Sequence, residues 1–486
     1  MNLRKAILGG GLFALALLLG ALNGRAQEQP PAPTDTMPKP AARDYPVPII
    51  DSGNQQGENS VRDATNGLQP DTTPLTGVQN ATVGSPEMRH SYWVPGLQYA
   101  STIQSNGYNQ PNSSAWSAYN YLNGNISLLK AWRSSELVVN YSGGSAISTN
   151  NPTQGNSYTQ QLALSQTFHW NRWQLQILDQ FSYLPQSAFG FGGGTNLGIP
   201  GVGGSLGPSI PGLGSGFVPN QSIYASTGPR YSNAGVIQAN YVISPRGSIT
   251  TSGSYGILRF VDTGNVENNS VMGSLGYNYL IDSKDTVGLV YRFSGYQYPG
   301  QPQAFGDHIV NLAFGRKITG HLALQLYGGA DFVTFRVPIG TQSSRIGANA
   351  SANLTYGLSK GALSAGYFHG LTGGSGVFTG STVDQVNFGA SRRLGRIWSA
   401  NISFGYAHNK AVVNSPQATF PAYNSWFAGG GVSRPLGRNV DFAVSYTAYI
   451  AATNGSGCTV TPCSSNQTYN SITLNLQWHT RPFVLP

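Results

Sequence analysis

The sequence predicts an all-β fold, a transmembrane antiparallel up-and-down β-barrel of about 18 strands, with 16 as the alternative count. Three observations predict it. From about residue 99 to residue 478, stretches of ten to fourteen residues alternate apolar with small polar side chains, which places each set on one face of a strand. The connections between the stretches are alternately tight and loose. Charged residues make up only 9% of the chain, against about 25% in soluble domains.

Residues 1–26 are predicted to be a secretory signal peptide. Arg4 and Lys5 supply a basic start, residues 6–22 form an apolar run, and small residues precede a cleavage site at Ala26. The alternative is an uncleaved membrane anchor, which the shortness of the apolar run disfavours. The protein is therefore expected to be exported.

Residues 27–92 are predicted to form a disordered, proline-rich periplasmic arm. Seven prolines lie between residues 30 and 48, among many Asp, Gln, Asn and Thr residues. Such a segment cannot bury enough apolar surface to fold alone. A tether or plug for the barrel is the functional alternative. Residues 93–486 are assigned to the barrel.

Seventeen predicted connections give the strand number. Eight are tight and nine are loose, and they alternate along the chain. The tight ones lie near residues 133–135, 171–172, 244–247, 282–285, 319–320, 360–361, 394–396 and 436–438. The loose ones lie near residues 106–115, 149–157, 185–231, 260–268, 298–304, 336–344, 373–380, 410–423 and 451–467. Backbone groups inside lipid must all be hydrogen-bonded, so the sheet is expected to close, with tight turns facing the periplasm.

On this architecture, residues 93–480 resemble the porin-like outer-membrane barrels of diderm (Gram-negative) bacteria, without a signature motif. The final strand, residues 471–478, looks like the C-terminal signal that the barrel-assembly machinery reads, although residues 479–486 follow it and Phe483 is a second candidate for the terminal aromatic. The resemblance implies an outer-membrane location, contact with outer-membrane lipid and passive diffusion of small hydrophilic solutes. It leaves a homo-oligomer open.

The predicted inner face is mostly Ser, Thr, Asn, Gln, Gly and Ala, with rare charges. The pore-lining candidates are Arg292, Gln325, Tyr327, Asp331 and Asp441. A barrel of this size encloses an aqueous lumen, and a weakly charged lining suits small neutral or mildly anionic solutes. The alternative is that these residues merely solvate a lumen blocked by loops.

Residues 185–231 form the longest predicted loop and are a candidate constriction. No charged residue occurs from Phe181 to Pro229. Glycines alternate there with apolar residues, and the constriction-loop candidates are Leu197, Ile199, Val202, Leu206, Ile210, Leu213 and Phe217. The segment is the third predicted outer loop, and in the trimeric general porins that the layout resembles the third loop folds inward. The alternative is a flexible surface loop.

Cys458 and Cys463 lie in the last loose connection and are predicted to form a disulfide, as expected for two cysteines in an exported chain. A metal site is not expected, because zinc needs four ligands and the neighbouring residues do not supply them. Basic residues at nearly every tight turn suggest a positive periplasmic rim that contacts lipid phosphates or attracts anions, or else ordinary solvated turns.

Catalysis is not expected, and neither is a cofactor or a nucleic-acid partner. Residues 203–207 match the Gly-x-Ser-x-Gly pattern of hydrolases, but they lie in a glycine-rich loop without the strand-to-helix turn that exposes such a serine. Asp307 and His308 are adjacent near an outer strand end. The predicted function is a porin-like channel. The alternative is a structural or partner-binding barrel without an open pore, such as a surface scaffold, an adhesin or a sheath for another protein.

Overall fold

The structure, a computed structural model, describes part of the chain. The described residues are 75–77, 91–105, 116–148, 157–184, 229–261, 265–318, 322–339, 342–358, 360–374, 376–412, 422–453 and 466–485. Their regular secondary structure consists of β-strands joined by turns. None of these residues belongs to a helix long and apolar enough to cross a membrane.

The strands follow one another around a single sheet. They are β1 (Tyr92–Ser105), β2 (Trp116–Ala131), β3 (Ser135–Ser148), β4 (Ser157–His169), β5 (Trp173–Leu184), β6 (Arg230–Ser244), β7 (Gly247–Phe260), β8 (Asn268–Leu280), β9 (Asp285–Gln297), β10 (Ala304–Lys317), β11 (Leu322–Ile339), β12 (Gln342–Leu358), β13 (Gly361–Thr372), β14 (Ser381–Leu394), β15 (Trp398–Ala411), β16 (Ala422–Pro435), β17 (Val440–Thr453), β18 (Asn466–His479) and the short β19 (Phe483–Val484).

Each long strand pairs antiparallel with the next one, and β1 pairs with β18 from Gly96–His479 to Gln104–Ser471, which closes the barrel. The predicted all-β, 18-strand closed barrel is confirmed. The spanning strands contain 12 to 18 residues, whereas strands of globular proteins average about 5–6. Strands of this length, when tilted, are long enough to cross a bilayer.

The two faces of the sheet differ as the alternating sequence predicts. On β10, Leu312 is 70% exposed, while its neighbours Asn311 and Ala313 are 5% and 3% exposed. The same alternation of exposed apolar and enclosed polar side chains recurs around the barrel. Because the exposed apolar side chains point away from the barrel axis, the outer surface is suited to contact with lipid.

Replacing Leu312 with Arg is expected to destabilise the folded barrel by about 2–4 kcal/mol, because the position is in the middle of a strand on the lipid face. The matched control is Leu436→Arg in an exposed tight turn, where the cost falls to about 0–1 kcal/mol. Urea titration of the barrel in lipid vesicles measures both variants. Equal losses of stability at the two positions would contradict the membrane orientation of the outer face.

Aromatic side chains occur at both ends of the outer face. Trp170, Trp173, Trp426 and Trp478 are exposed on it. Trp398 is only half-exposed, and the Arg434 guanidinium lies 5.5 Å from the centre of its ring. Such aromatic residues are suited to the boundary between hydrocarbon and headgroups.

The C-terminal residues continue the seam where the barrel closes. After β18, Phe483 and Val484 form β19 and pair with Trp93 and Tyr92. The rings of Phe483 and Trp93 stack with their centres 5.0 Å apart. The residues beyond the predicted terminal strand therefore extend the pairing with β1, and an aromatic residue occupies the extension. Recognition by the assembly machinery stays a prediction.

One predicted connection is wrong. Residues 336–344 were expected to form a loose loop, but β11 and β12 continue through most of this range and meet at the Ile339–Gln342 pair. A register shift between Thr334 and Ile339 accompanies the extension. Polar residues such as Gln342, Ser343 and Ser344 suggested a loop, yet polar residues are compatible with a strand that projects beyond the lipid.

The tight turns carry the predicted basic residues in exposed positions, among them Arg133, Arg172, Arg246, Lys284 and Arg438. In the turn before β9, the backbone N–H groups of Lys284 and Asp285 donate to Asp282 Oδ1 at 2.7 and 2.8 Å. These hydrogen bonds hold the pKa of the Asp282 carboxyl below its usual range. The rim of tight turns is thus basic and well solvated.

Candidate lumenal site

Much of the inner face of the barrel is built from polar side chains that hydrogen-bond to one another across the strands, beside a cluster of buried apolar residues that includes Leu178 and Val333. Thr102 and Thr473 hydroxyls lie 2.9 Å apart across the β1–β18 seam. Asn311 Nδ2 donates to Asn349 Oδ1 at 2.8 Å across β10–β12. Such pairs hold polar side chains against the wall.

The structure places the five predicted lining residues on this inner face. Arg292, Gln325, Tyr327 and Asp331 lie on β9 and β11, in one sector of the wall. Asp441 lies apart from them, near the tight-turn end of β17, where its Oδ2 is 3.4 Å from His479 Nε2. Contact of these side chains with a permeating solute stays a prediction.

Two acidic and two basic residues form a cluster on four consecutive strands, which we call the charge cluster: Arg292, Asp307, Asp331 and Arg345. The register places them in two adjacent rows. Asp307 and Arg345 are both opposite Val333, while Arg292 and Asp331 are both opposite Ile309. Each row therefore contains one acidic and one basic residue, and the order across the four strands is Arg, Asp, Asp, Arg.

The members of the charge cluster interact with one another. Asp307 interacts electrostatically with Asp331, Arg292 and Arg345, and Asp331 also interacts with Arg345. Both carboxylates are almost fully enclosed. Charges in an enclosed, low-dielectric environment interact more strongly than charges in bulk water. The net charge of the cluster is zero when all four groups are ionised.

Asp307 and Arg345 were missed as lining residues in the sequence. In the sequence, Asp307 is adjacent to His308. The strand separates these two neighbours, because His308 points outward, where its Nδ1 is 2.7 Å from Tyr291 Oη. The signal that identifies Asp307 and Arg345 is parity, since each is an even number of residues from an inward asparagine, Asn311 or Asn349.

In the connection between β13 and β14, the described residues 373–374 and 376–380 leave the wall and cross the lumen. We call this connection the crossing loop. On one side, the backbone N–H of Val266, before β8, donates to Gly376 O at 2.8 Å. Asn268 Nδ2 donates to Gly373 O at 3.3 Å. Because β8 is five strands from β13 around the barrel, these contacts require the loop to extend across the opening.

The crossing loop also contacts the strands on its other side. Val412 N–H donates to Gly380 O at 3.1 Å, and the ring of Phe378 lies 5.5 Å from that of Tyr423 on β16. Phe378 is buried together with Tyr423 and Ala411. The loop is therefore fixed to both sides of the outer opening.

Glycine residues give the crossing loop its shape. Gly374, Gly376 and Gly380 have φ values of 84°, 81° and 82°, in the left-handed region that other residues seldom adopt. A Cβ atom on Gly376 would collide with the ring of Phe260. At the base of the loop, the hydroxyls of Thr372 and Ser381 lie 2.8 Å apart. The backbone of the crossing loop thus approaches aromatic side chains more closely than a residue with a Cβ atom would allow.

The constriction predicted in residues 185–231 is not tested, because all seven candidates, Leu197 to Phe217, lie outside the described residues. Cys458, Cys463 and the Gly-x-Ser-x-Gly match at residues 203–207 also lie outside them. Among the described residues, the loop that crosses the lumen is a shorter glycine-rich connection. The sequence signal was present there as well, since none of the eight residues from Gly373 to Gly380 is charged and four are glycine.

No protein-family model matches the sequence, and no curated protein matches it. Solved structures that resemble the chain include Pseudomonas aeruginosa OccK2 (OpdF), at 8% identity and a TM-score of 0.42 over 81% of this chain and 98% of that chain. The outer membrane protein OpdK of the same species is 10% identical, with a TM-score of 0.41 over 81% and 99%. Acinetobacter baumannii OccAB4 is 8% identical, with a TM-score of 0.41 over 81% and 98%. Values this low assign no function.

Proposed function

We propose that the protein is an outer-membrane channel for the passive diffusion of small hydrophilic solutes. One observation carries the proposal: a closed 18-strand barrel with an apolar exterior has an inner face rich in polar side chains, and the crossing loop spans its outer opening above the charge cluster. Barrels of 16–18 strands are wide enough for an aqueous path. A loop that crosses such a path sets the size limit for solutes.

The position of the charge cluster relative to the crossing loop supports selection as well as size exclusion. A Cβ atom on Gly380 would contact the ring of Phe305. Phe305 is two residues before Asp307 on the inward face of β10. The charge cluster therefore lies one row beneath the loop. Its balanced charges favour neutral, zwitterionic or weakly charged polar solutes over strongly charged ones.

Liposome swelling tests the proposal. Vesicles that contain the purified barrel are expected to swell in solutions of small sugars and zwitterionic amino acids, at rates that fall as the solute becomes larger. Empty vesicles provide the baseline, and heat-modifiable migration on gels shows that the barrel is folded. Folded protein that admits no solute of any size would contradict a diffusion channel.

The alternative is a barrel whose lumen is occupied by protein and serves a structural or partner-binding role. One observation favours it: residues 75–77, which precede the barrel in the sequence, contact the inner wall. Absence of swelling by the folded protein, together with retention of the same contacts, is the result that this alternative predicts. Disulfide formation, assembly by the barrel machinery and any homo-oligomer remain predictions.

A further inference from the structure

Three residues from the region before the barrel lie inside it. The backbone N–H of Thr76 donates to Asn278 Oδ1 on β8 at 3.0 Å. Tyr327 Oη, on β11, donates to the carbonyl oxygen of Leu75 at 2.6 Å. Leu75 and Thr76 are each only 3% exposed. We call residues 75–77 the lumenal segment.

The wall that receives the lumenal segment is a single transverse row. Asn278 is paired with Gly288, Gly288 with Ala313, and Ala313 with Tyr327, across β8, β9, β10 and β11. The two outer members of the row make the hydrogen bonds, and the two inner members have the smallest side chains. The row therefore forms a notch between β8 and β11, three strand spacings or about 14 Å across, with a polar group at each end.

Glycines in the wall provide the space for Thr76. A Cβ atom on Gly276 would collide with the Thr76 side chain, and one on Gly288 would lie 2.9 Å from Thr76 Cγ2. Both glycines are in strands, where glycine is unfavourable unless another part of the chain approaches closely. Here the approaching group is the protein's own Thr76.

The lumenal segment lies near the tight-turn end of the barrel. Asn278 is two residues before the end of β8, and Gly288 is three residues after the start of β9. Strand β1 starts at the same end, because Tyr92 pairs with Leu129 beside the tight turn after β2. Thirteen residues separate Gly77 from Ser91. Such a link spans at most about 45 Å, which is sufficient for a connection within one barrel.

From these contacts, we infer that the lumenal segment is a resident second constriction, docked in the notch between Asn278 and Tyr327 on the periplasmic side of the charge cluster. Phe305 beneath the crossing loop and Ala313 in the notch are eight residues apart on β10, or about 27 Å along the strand. The charge cluster lies between them. A solute would meet the crossing loop, the charge cluster and the lumenal segment in that order.

Cross-linking tests the location without requiring a channel. The double variant Thr76→Cys/Gly288→Cys, with Cys458 and Cys463 replaced by Ser, is expected to form an intrachain disulfide, because the two side chains would be within bonding reach. The matched control is Thr76→Cys/Thr473→Cys, since Thr473 is on the inner face of β18, half-way around the barrel from β9. Peptide mass spectrometry of the folded, oxidised protein detects the disulfide in either double variant. No bond at residue 288, or equal bonding at residue 473, would overturn the inference.

Conductance tests the constriction, which rests on the proposed channel function. Deleting residues 75–77 is expected to raise single-channel conductance roughly twofold, because the narrowest cross-section limits ion flow. Deleting residues 55–57 is the matched control and should leave conductance unchanged. Unchanged conductance without residues 75–77 would overturn the constriction. A barrel that is silent with and without them would overturn the proposed function and the constriction together, while the cross-link would still decide the location.

Discussion

A variant without residues 374–379 is expected to conduct several-fold more current per channel than the wild type. The deletion removes the part of the crossing loop that spans the lumen and leaves Gly373 joined to Gly380. Thr372 and Ser381 are already paired directly, so the two glycines form a two-residue hairpin connection of a favoured type. The barrel is therefore expected to fold. The increase in conductance then measures how far the crossing loop narrows the lumen.

Shortening a different outer connection provides the control for this deletion. Gly300 and Gln301 lie in the exposed turn between β9 and β10. Their removal is expected to leave conductance at the wild-type value. Single-channel recording in planar bilayers measures both variants. Equal conductance of the wild type and the variant without residues 374–379 would show that the crossing loop does not limit the path.

Neutralising the acidic half of the charge cluster is expected to make the channel anion-selective. In the Asp307→Asn/Asp331→Asn variant, Arg292 and Arg345 remain without their neighbouring carboxylates. The ratio of chloride to potassium permeability should rise several-fold, because a local charge in a narrow enclosed path favours ions of the opposite sign. Reversal potentials under a potassium chloride gradient measure the ratio.

Two further variants make the selectivity test specific. Arg292→Gln/Arg345→Gln is expected to shift the permeability ratio in the opposite direction, toward cations. Asp441→Asn removes an inward carboxylate at the tight-turn end, where His479 is its neighbour, and should produce a much smaller change. Equal shifts for Asp441→Asn and for the double aspartate variant would mean that the charge cluster has no special place on the solute path.

The barrel could be predicted from the sequence because its signal is repeated in every strand. A period of two over more than ten residues specifies a strand and its two faces, and alternating tight and loose connections specify the order. The inward positions of Arg292, Gln325, Tyr327 and Asp331 follow from that parity. The extension of β11 and β12 into residues 336–344 could not be predicted, because polar residues are equally suited to a loop and to a strand beyond the lipid.

The site was harder to predict because it depends on contacts between distant parts of the chain. Nothing local in residues 373–380 specifies that they extend inward to Val266 and Asn268, more than a hundred residues earlier. The notch that receives the lumenal segment likewise requires Asn278 and Tyr327 to lie in one transverse row. That alignment depends on the register of three strand pairs. Parity identifies the face of a residue, whereas register and loop direction require the folded barrel.

The central claim is that the barrel encloses a continuous water path that is narrowed by the protein's own loop and segment. Single-channel recording of the purified, folded wild-type protein tests it most directly. Stable current steps are predicted, with a conductance that increases when residues 374–379 or residues 75–77 are removed. Persistent silence of all three proteins, each folded and inserted in the bilayer, would contradict the claim.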